Sequence, residues 1–314
     1  MAKKYQTALV TGGAGFIGSH IVDALIRRRL KVYVVDDLSS GSTKNVNPNA
    51  HFTKLSILSP QFPAYLKRIK PDVIFHLAAQ VNLRKSVDEP FDDAQRNAIG
   101  TLTIAHWGAK AGVKKIVYTS TGGPMYPEGA RMPYSEKTSP GPISPYGISK
   151  LAGEMYLNHT YHVHGVPYVA LRYANVYGPR QNAKGEAGVV AIFAEQMLKG
   201  NAISITGTGK QTRDFVFVED VVRANMLAMD RKVIGPFNIG TGKETDINTI
   251  FKKMKKITGY ELPARKAPSA PGEVLRSALS AVKARKTLGW EPKVKLDEGL
   301  KKTVVWFQKN NHIS

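Results

Sequence analysis

The 314-residue chain contains no cysteine. Disulfides, thiolate metal sites and cysteine nucleophiles are thereby excluded, and the absence agrees with a reducing compartment. No apolar run approaches the roughly 18 residues that a membrane-spanning helix needs. Met1-Ala2-Lys3-Lys4-Tyr5 has neither the apolar core nor the cleavage site of a signal peptide, so a cytoplasmic location is expected. Acidic residues are scarce as well: 24 Asp and Glu stand against 45 Lys and Arg, a formal net charge of +21. About half of that excess lies in residues 251–314, with Lys252, Lys253, Lys255 and Lys256 on the polar face of a helical stretch. Such a charge raises nucleic acid as a partner. No basic stretch is interleaved with the aromatics that stack bases, so a solvated basic surface is expected and a nucleic-acid partner is not.

What is present is an ordinary globular composition, 42% hydrophobic and 22% charged, enough for one large or two modest domains. Ala8–Val10 reads as a buried strand and leads into Thr11-Gly12-Gly13-Ala14-Gly15-Phe16-Ile17-Gly18. An amphipathic helix follows, and then a second strand, Val32–Asp36, completing a βαβ unit. The alternation continues with strands at Val73–Ala78, Lys115–Thr119 and Tyr168–Tyr173, and helices at Asp93–Ala111 and Tyr146–His164. Strands alternating with helices imply a parallel sheet covered on both faces. Past residue 175 the elements shorten: Ala187–Lys199, Phe215–Val218, Val221–Asp230, Ile247–Ile257 and, after a Pro-rich loop at 262–272, Leu296–Gln308. The expected architecture is α/β, a Rossmann-type doubly wound parallel sheet in residues 1–175. A smaller mixed α/β substrate lobe follows in 176–314, with some exchange of chain between the two.

Gly12, Gly15 and Gly18 follow a strand, open a helix and precede Asp36 at the end of the next strand. In that context glycines allow a tight turn and close backbone approach, and the helix N-terminus faces a pyrophosphate. Asp36 would accept hydrogen bonds from the adenosine ribose, and its charge would repel a 2′-phosphate. Asp37-Leu38-Ser39-Ser40-Gly41 holds no Arg to compensate, so NAD is favoured over NADP. Tyr146 and Lys150 stand at i and i+4, on one face of a helix. A nearby ammonium favours a phenolate and fits Tyr146 as a general base. Ser120 and Thr121, at the end of the preceding strand, supply candidate hydroxyls.

Together these segments resemble the extended short-chain dehydrogenase/reductase superfamily, and within it nucleoside-diphosphate-sugar epimerases of the UDP-glucose 4-epimerase type. The resemblance covers nearly the whole chain. Besides the segments above it rests on His76-Leu77-Ala78-Ala79, Asn97, Ser120–Tyr126, Leu171–Pro179, Arg213–Asp220 and Leu288-Gly289-Trp290. It implies a cofactor site in which Phe16 and Ile17 pack at the pyrophosphate turn and Asp36, Asp37, Leu38, Ser40 and Gly41 take the adenosine ribose side. Ser56 and Ile57 would flank the adenine, Leu77, Ala78 and Ala79 would line the other ribose, and Asn97 and Tyr173 would complete the site. Lys150 would also hold the nicotinamide ribose. For substrate it implies Thr121, Tyr146, Asn175, Val189 and Arg213, the last on the phosphates. It further implies a homodimer through the Asp93–Ala111 and Tyr146–His164 helices, with apolar contacts from Ile99, Leu102 and Ile104, or from Leu151 and Met155.

The chain departs from the family pattern at three places. Ser56 stands where an Asp is usual, Ala270 where a phosphate-binding Arg often precedes Pro-Gly-Glu, and Gly122 where many relatives carry Ser or Thr. Thr121 is then the nearest hydroxyl, with Ser120 second. Related 4,6-dehydratases carry an Asp-Glu pair where this chain has Gly122-Gly123, which cannot perform acid–base chemistry. The remaining Tyr, Lys, hydroxyl and NAD suffice for 4-epimerisation of a UDP-hexose. The alternatives are an N-acetylated or uronate sugar, a dehydrogenase or reductase with exchangeable cofactor, and a non-catalytic binding protein.

Overall fold

The computed structural model describes residues 5–183, 188–268 and 274–310. Its central sheet has seven strands: β1 (Thr7–Thr11), β2 (Lys31–Asp36), β3 (His51–Lys54), β4 (Val73–His76), β5 (Lys115–Thr121), β6 (Tyr168–Tyr173) and Gly235–Ile239. Their spatial order is β3-β2-β1-β4-β5-β6 and then Gly235–Ile239, all pairs parallel. Along β1 the side chains alternate between two cores. Ala8 and Val10 face one apolar cluster and Leu9 the other, as the two-residue period of a strand requires. That is why these strands read as continuous Val/Ile/Leu runs. The order reverses between β1 and β4, which opens a crevice at the carboxyl ends of the strands, where ligands of such sheets bind.

The second half of the chain also builds the sheet layer. Gly235–Ile239 pairs with β6, the Val218–Asp230 helix packs on α1 (Phe16–Arg27), and Leu288 and Trp290 join the same buried cluster. The remaining lobe has its own core, drawn from the helices Val189–Leu198, Ile247–Thr258 and Leu296–Asn310. Gly235–Ile239 and His51–Lys54 escape the sequence reading because each is a short edge strand. The former carries a Pro that an edge tolerates, and the latter is only half-buried. The helices Phe62–Ile69 and Leu83–Asp88 were likewise unforeseen. The expected Asp93–Ala111 helix starts earlier, at Pro90, and runs through a π-helical stretch at Ala94–Ile99 before Gly100–Lys110. Among the described residues no helix is long and apolar enough to cross a membrane.

Candidate active site

The glycine turn lies at the end of β1. Gly12 has φ +70°, and a Cβ there would sit 2.7 Å from the Ala78 nitrogen; one on Gly18 would collide with the Gly12 carbonyl. The turn is thus closed against Leu77-Ala78 and against its own helix, leaving the N-terminus of α1 open as a phosphate cradle. The Asp36 carboxylate accepts from the Ala14 N–H at 3.0 Å and from the Leu38 N–H at 2.9 Å, and burial pushes its pKa up. Leu38 takes φ +63° in the loop that brings Ser40 and Gly41 back over the turn; Gly41 lies against Asp36 and Ala14. Arg96, distant in sequence, places Nη1 3.7 Å from the Asp37 carboxylate while its Nε donates to Asp92 at 2.7 Å. A guanidinium therefore does stand beside the acidic loop, already flanked by two carboxylates.

Behind the cradle, Thr11, His76 and Thr101 form a buried chain: Thr11 Oγ1 lies 2.8 Å from His76 Nδ1, and His76 Nε2 lies 3.2 Å from Thr101 Oγ1. Full burial holds the His76 pKa down at about 3, helped by Lys150, so the imidazole is neutral. Asn97 is 2% exposed; its amide donates to the Gln80 carbonyl and to Asp93, both at 2.9 Å, and accepts from the Gln80 N–H at 2.8 Å. The structure thus places Asn97 behind the Ala78-Ala79-Gln80 loop, tying it to the Pro90–Ile99 segment. Ser56 caps the turn after β3 by accepting from the Leu58 N–H, and Ile57 is buried against Gly100.

Tyr146 and Lys150 ride on the Pro145–His164 helix. Its start is fixed by Pro145 in the first turn and by Ser144, whose hydroxyl accepts from the Gly147 N–H at 3.2 Å; such a cap is worth about 1 kcal/mol. Interior glycines cost a helix roughly 1 kcal/mol each, yet here they permit close approach. A Cβ on Gly147 would lie 2.5 Å from the Pro124 carbonyl, and one on Gly153 2.5 Å from the Tyr118 hydroxyl. The helix therefore presses onto β5. Lys150 Nζ donates to the Thr119 carbonyl at 2.9 Å and lies 5.0 Å from the Tyr118 ring and 5.8 Å from the Tyr146 ring. Burial pushes the Tyr146 phenol up to about 12, opposed by the Thr121 hydroxyl, and pushes Lys150 down to about 8. The expected lowering of the phenol by the lysine is thus not what dominates in the protein alone: desolvation outweighs it.

The two candidate hydroxyls part company. Thr121 faces the Tyr146 phenol, whereas Ser120 donates to Glu154 at 2.6 Å. Glu154 is held by Arg172 through bonds of 2.9 and 2.7 Å, and Arg172 Nη1 donates to the Tyr126 hydroxyl, which in turn donates to Asn238. This buried chain links the catalytic helix, β5, β6 and Gly235–Ile239. Gly122 leaves no room for the hydroxyl that relatives carry: a Cβ would lie 2.7 Å from the Tyr173 carbonyl and against Leu279. Tyr173, opposite Thr121 in the sheet, is buried with its hydroxyl bound by Asn225 at 2.7 Å.

On the second-lobe side, Asn175 is exposed, and its backbone N–H donates to the Asp214 carbonyl at 2.8 Å. Asp214 is buried and accepts from Thr241, Gly242 and Leu279, pinning the strand Thr212–Arg213 beside the sheet ends. Arg213 is half-buried and donates to the Thr212 carbonyl; Val189 opens the Val189–Leu198 helix. Arg276, which with nearby lysines is a candidate to replace the missing Arg, is paired bidentately with Glu244 at 2.8 and 2.6 Å. Ala270 itself lies outside the described residues. A groove of about 540 Å³ is remote from all of this: it lies between β2, β3 and the Phe62–Ile69 helix, lined by Tyr33, His51, Tyr65 and Arg68. No group of side chains able to hold a metal occurs among the described residues.

Residues 8–240 match the model of the NAD dependent epimerase/dehydratase family. A putative UDP-glucose 4-epimerase of Methanocaldococcus jannaschii is 44% identical over 305 residues, 96% of this chain and 99% of the relative. The crystal structure of a UDP-glucose 4-epimerase from Thermotoga maritima with UDP-glucose is 51% identical, with TM-score 0.93 over 96% of this chain and 98% of that one. That of a Thermus thermophilus UDP-glucose 4-epimerase in complex with NAD is 39% identical, with TM-score 0.91 over 96% and 99%. With the glycine cradle, Asp36 and the Tyr146–Lys150 pair on the sheet ends, these likenesses settle the family and its cofactor, NAD: the chain belongs to the NAD-dependent epimerase/dehydratase family.

Proposed function

We propose that the protein interconverts the C4 epimers of a UDP-hexose, UDP-glucose and UDP-galactose, through a transient 4-keto sugar. The observation that carries this reading is the Tyr146–Lys150–Thr121 cluster at the end of β5, followed by Gly122-Gly123. No carboxylate stands where a dehydratase would need one, and Gly122 is too tightly packed to be a vestige of a larger residue. The UDP-glucose 4-epimerases of the relatives point the same way.

The Gly12–Gly18 turn fits a pyrophosphate, since any Cβ at Gly12 or Gly18 would fill the space that closes it. Asp36, Asp37, Leu38, Ser40, Gly41, Ser56 and Ile57 hold the adenosine end. Phe16 and Ile17 pack at the turn, and Leu77, Ala78, Ala79, Lys150 and Tyr173 face the nicotinamide end. Bound NAD supplies the acceptor and donor of the C4 hydride, together with a positive nicotinamide charge. Tyr146 takes the proton of the 4-hydroxyl and later returns it, while Thr121 hydrogen-bonds that oxygen as its charge changes. The Lys150 ammonium stabilises the phenolate. Asn175, Val189 and Arg213 hold the sugar and diphosphate, and a guanidinium suits the latter. The sugar is oxidised and reduced in turn, so the net reaction is an isomerisation.

Tyr146→Phe is expected to retain NAD and fold while losing about 10²–10⁴ in turnover of UDP-galactose, the scale of general acid–base catalysis. Near-normal turnover overturns the assignment. Wild-type protein should carry NAD through purification and need none added; a requirement for stoichiometric cofactor would mark a dehydrogenase or reductase instead.

The protein is read as a homodimer. Ile99 and Met155 are exposed, 38% and 66%, and Phe91 is 90% exposed on the same helical layer. Two of the residues expected at this face are not on it: Ile104 is fully buried against its own sheet, and Leu151 packs on the Met125–Tyr126 cluster. Phe91→Ser with Met155→Ser should shift sedimentation from dimer to monomer at micromolar concentration. A wild type that sediments as monomer ends this reading.

A further inference from the structure

Asp93 is a carboxylate with no exposed surface. It ends the short helix Pro90–Asp93, which packs against the catalytic helix. One oxygen, Oδ1, accepts from Asn97 at 2.9 Å and from Gln80 at 3.0 Å. The other, Oδ2, has no hydrogen-bond partner, although it is buried. A buried carboxylate oxygen without a partner is costly, so it calls for a compensating group nearby. No ion pair of Asp93 occurs among the described residues. The Pro90–Ile99 stretch packs along the catalytic helix, on which Gly153, three residues past Lys150, lies against Thr101, and of the charges acting on Lys150 that of Asp93 is the largest.

The surroundings of Lys150 sharpen the point. From β5 it meets the Thr119 carbonyl and the Tyr118 ring, and from its own helix the Tyr146 ring; the charge of Glu154 acts on it, and its own charge acts on the neutral His76 of β4. Glu154 is neutralised by the bidentate Arg172. The ammonium has three donors, and one goes to Thr119. We propose that Asp93 is a positioning residue whose free carboxylate oxygen is the counter-charge that keeps Lys150 protonated beside Tyr146. The same charge also opposes ionisation of Tyr146, so Asp93 holds the proton balance of the pair as a whole. This inference rests on Tyr146 and Lys150 being the reacting pair, which Tyr146→Phe tests by itself.

Asp93→Asn keeps an oxygen for Asn97 and Gln80 and removes only the charge. Lysine and phenol should then both deprotonate more readily. Both limbs of the kcat/KM–pH profile for UDP-galactose should move toward acid by about one pH unit, the effect of one close charge. In the protein without substrate, the 15N signal of the Lys150 amine, assigned with Lys150→Met, should titrate lower by a similar amount. A variant that is slower at every pH with unmoved limbs and an unmoved lysine titration shows a purely structural role and overturns the inference. Should Asp93→Asn fail to fold, Asp93→Ser, which leaves room for water, is read on the same two axes.

Discussion

Beneath Tyr146, the residues Ser120, Glu154 and Arg172 are 2%, 5% and 3% exposed, whereas the Arg276 side chain on the second-lobe side is 64% exposed. Both regions contain a bidentate Arg–carboxylate pair, Arg172–Glu154 and Arg276–Glu244, of nearly the same length. Geometry alike, the two differ in medium. In the buried pair each charge has been taken out of water and depends on its partner; in the exposed pair each can return to water if the other is lost. The buried network fixes the floor on which Tyr146, Lys150 and Thr121 stand, while the exposed side of the site can change side chains without endangering the fold.

The sharpest way to break the comparison is Arg172→Met. It leaves Glu154 as a buried carboxylate without its cation and Tyr126 without the donor to its hydroxyl. A loss of about 3–5 kcal/mol in folding stability is expected from denaturant titration. A loss below about 1 kcal/mol would mean that water reaches Glu154 and that the two pairs are alike after all.

A second variant pair separates two adjacent hydroxyls. Thr121→Val keeps shape and removes the group facing the Tyr146 phenol; it should raise the barrier by roughly 1–3 kcal/mol with little change in melting temperature. Ser120→Ala removes a donor to Glu154 and should instead register in stability, by about 1 kcal/mol, with turnover nearly intact. Reversed outcomes would assign the active hydroxyl to Ser120.

That split also shows what the sequence could convey. The Gly12–Gly18 turn, Asp36 and the Tyr146–Lys150 spacing were legible because each is local: a turn geometry, a strand end, one helix face. The choice between Ser120 and Thr121 was only half legible, since strand alternation says that the two point apart but not which way. The Arg172–Glu154 pair, the Asp93 carboxylate and the approach of Arg96 to Asp37 join segments far apart in the chain, and no single window of sequence carries a signal for them. Gly235–Ile239 was missed for a related reason. Its Gly-Pro start reads as a turn, and only its partner β6 makes it a strand. For the Tyr146 phenol, spacing reveals the neighbouring lysine but not the burial that dominates its ionisation.

The smallest expected effect concerns the exposed side of the comparison and the question of which cation grips the diphosphate. Arg276 is a candidate to replace the Arg absent at Ala270, alongside nearby lysines, yet its guanidinium is already engaged edge-on by Glu244, whose carboxyl is held below its usual range and also accepts from Thr212 at 2.5 Å. To bind phosphate, Arg276 would have to leave a carboxylate for a second anion, with little net gain in water. Arg213, one residue from the anchored Asp214, has its backbone fixed at the sheet ends instead. Arg213→Ala should therefore raise KM for UDP-galactose by roughly 10–100-fold, the value of a charge-assisted hydrogen bond, with kcat reduced less. Arg276→Ala should change KM less than about threefold, in line with an exposed pair, and leave the melting temperature unmoved. If Arg276→Ala instead matches Arg213→Ala in KM, the Glu244 pair opens on substrate binding. Arg276 then does the work of the missing residue, and the second lobe is less passive than its exposed pair suggests.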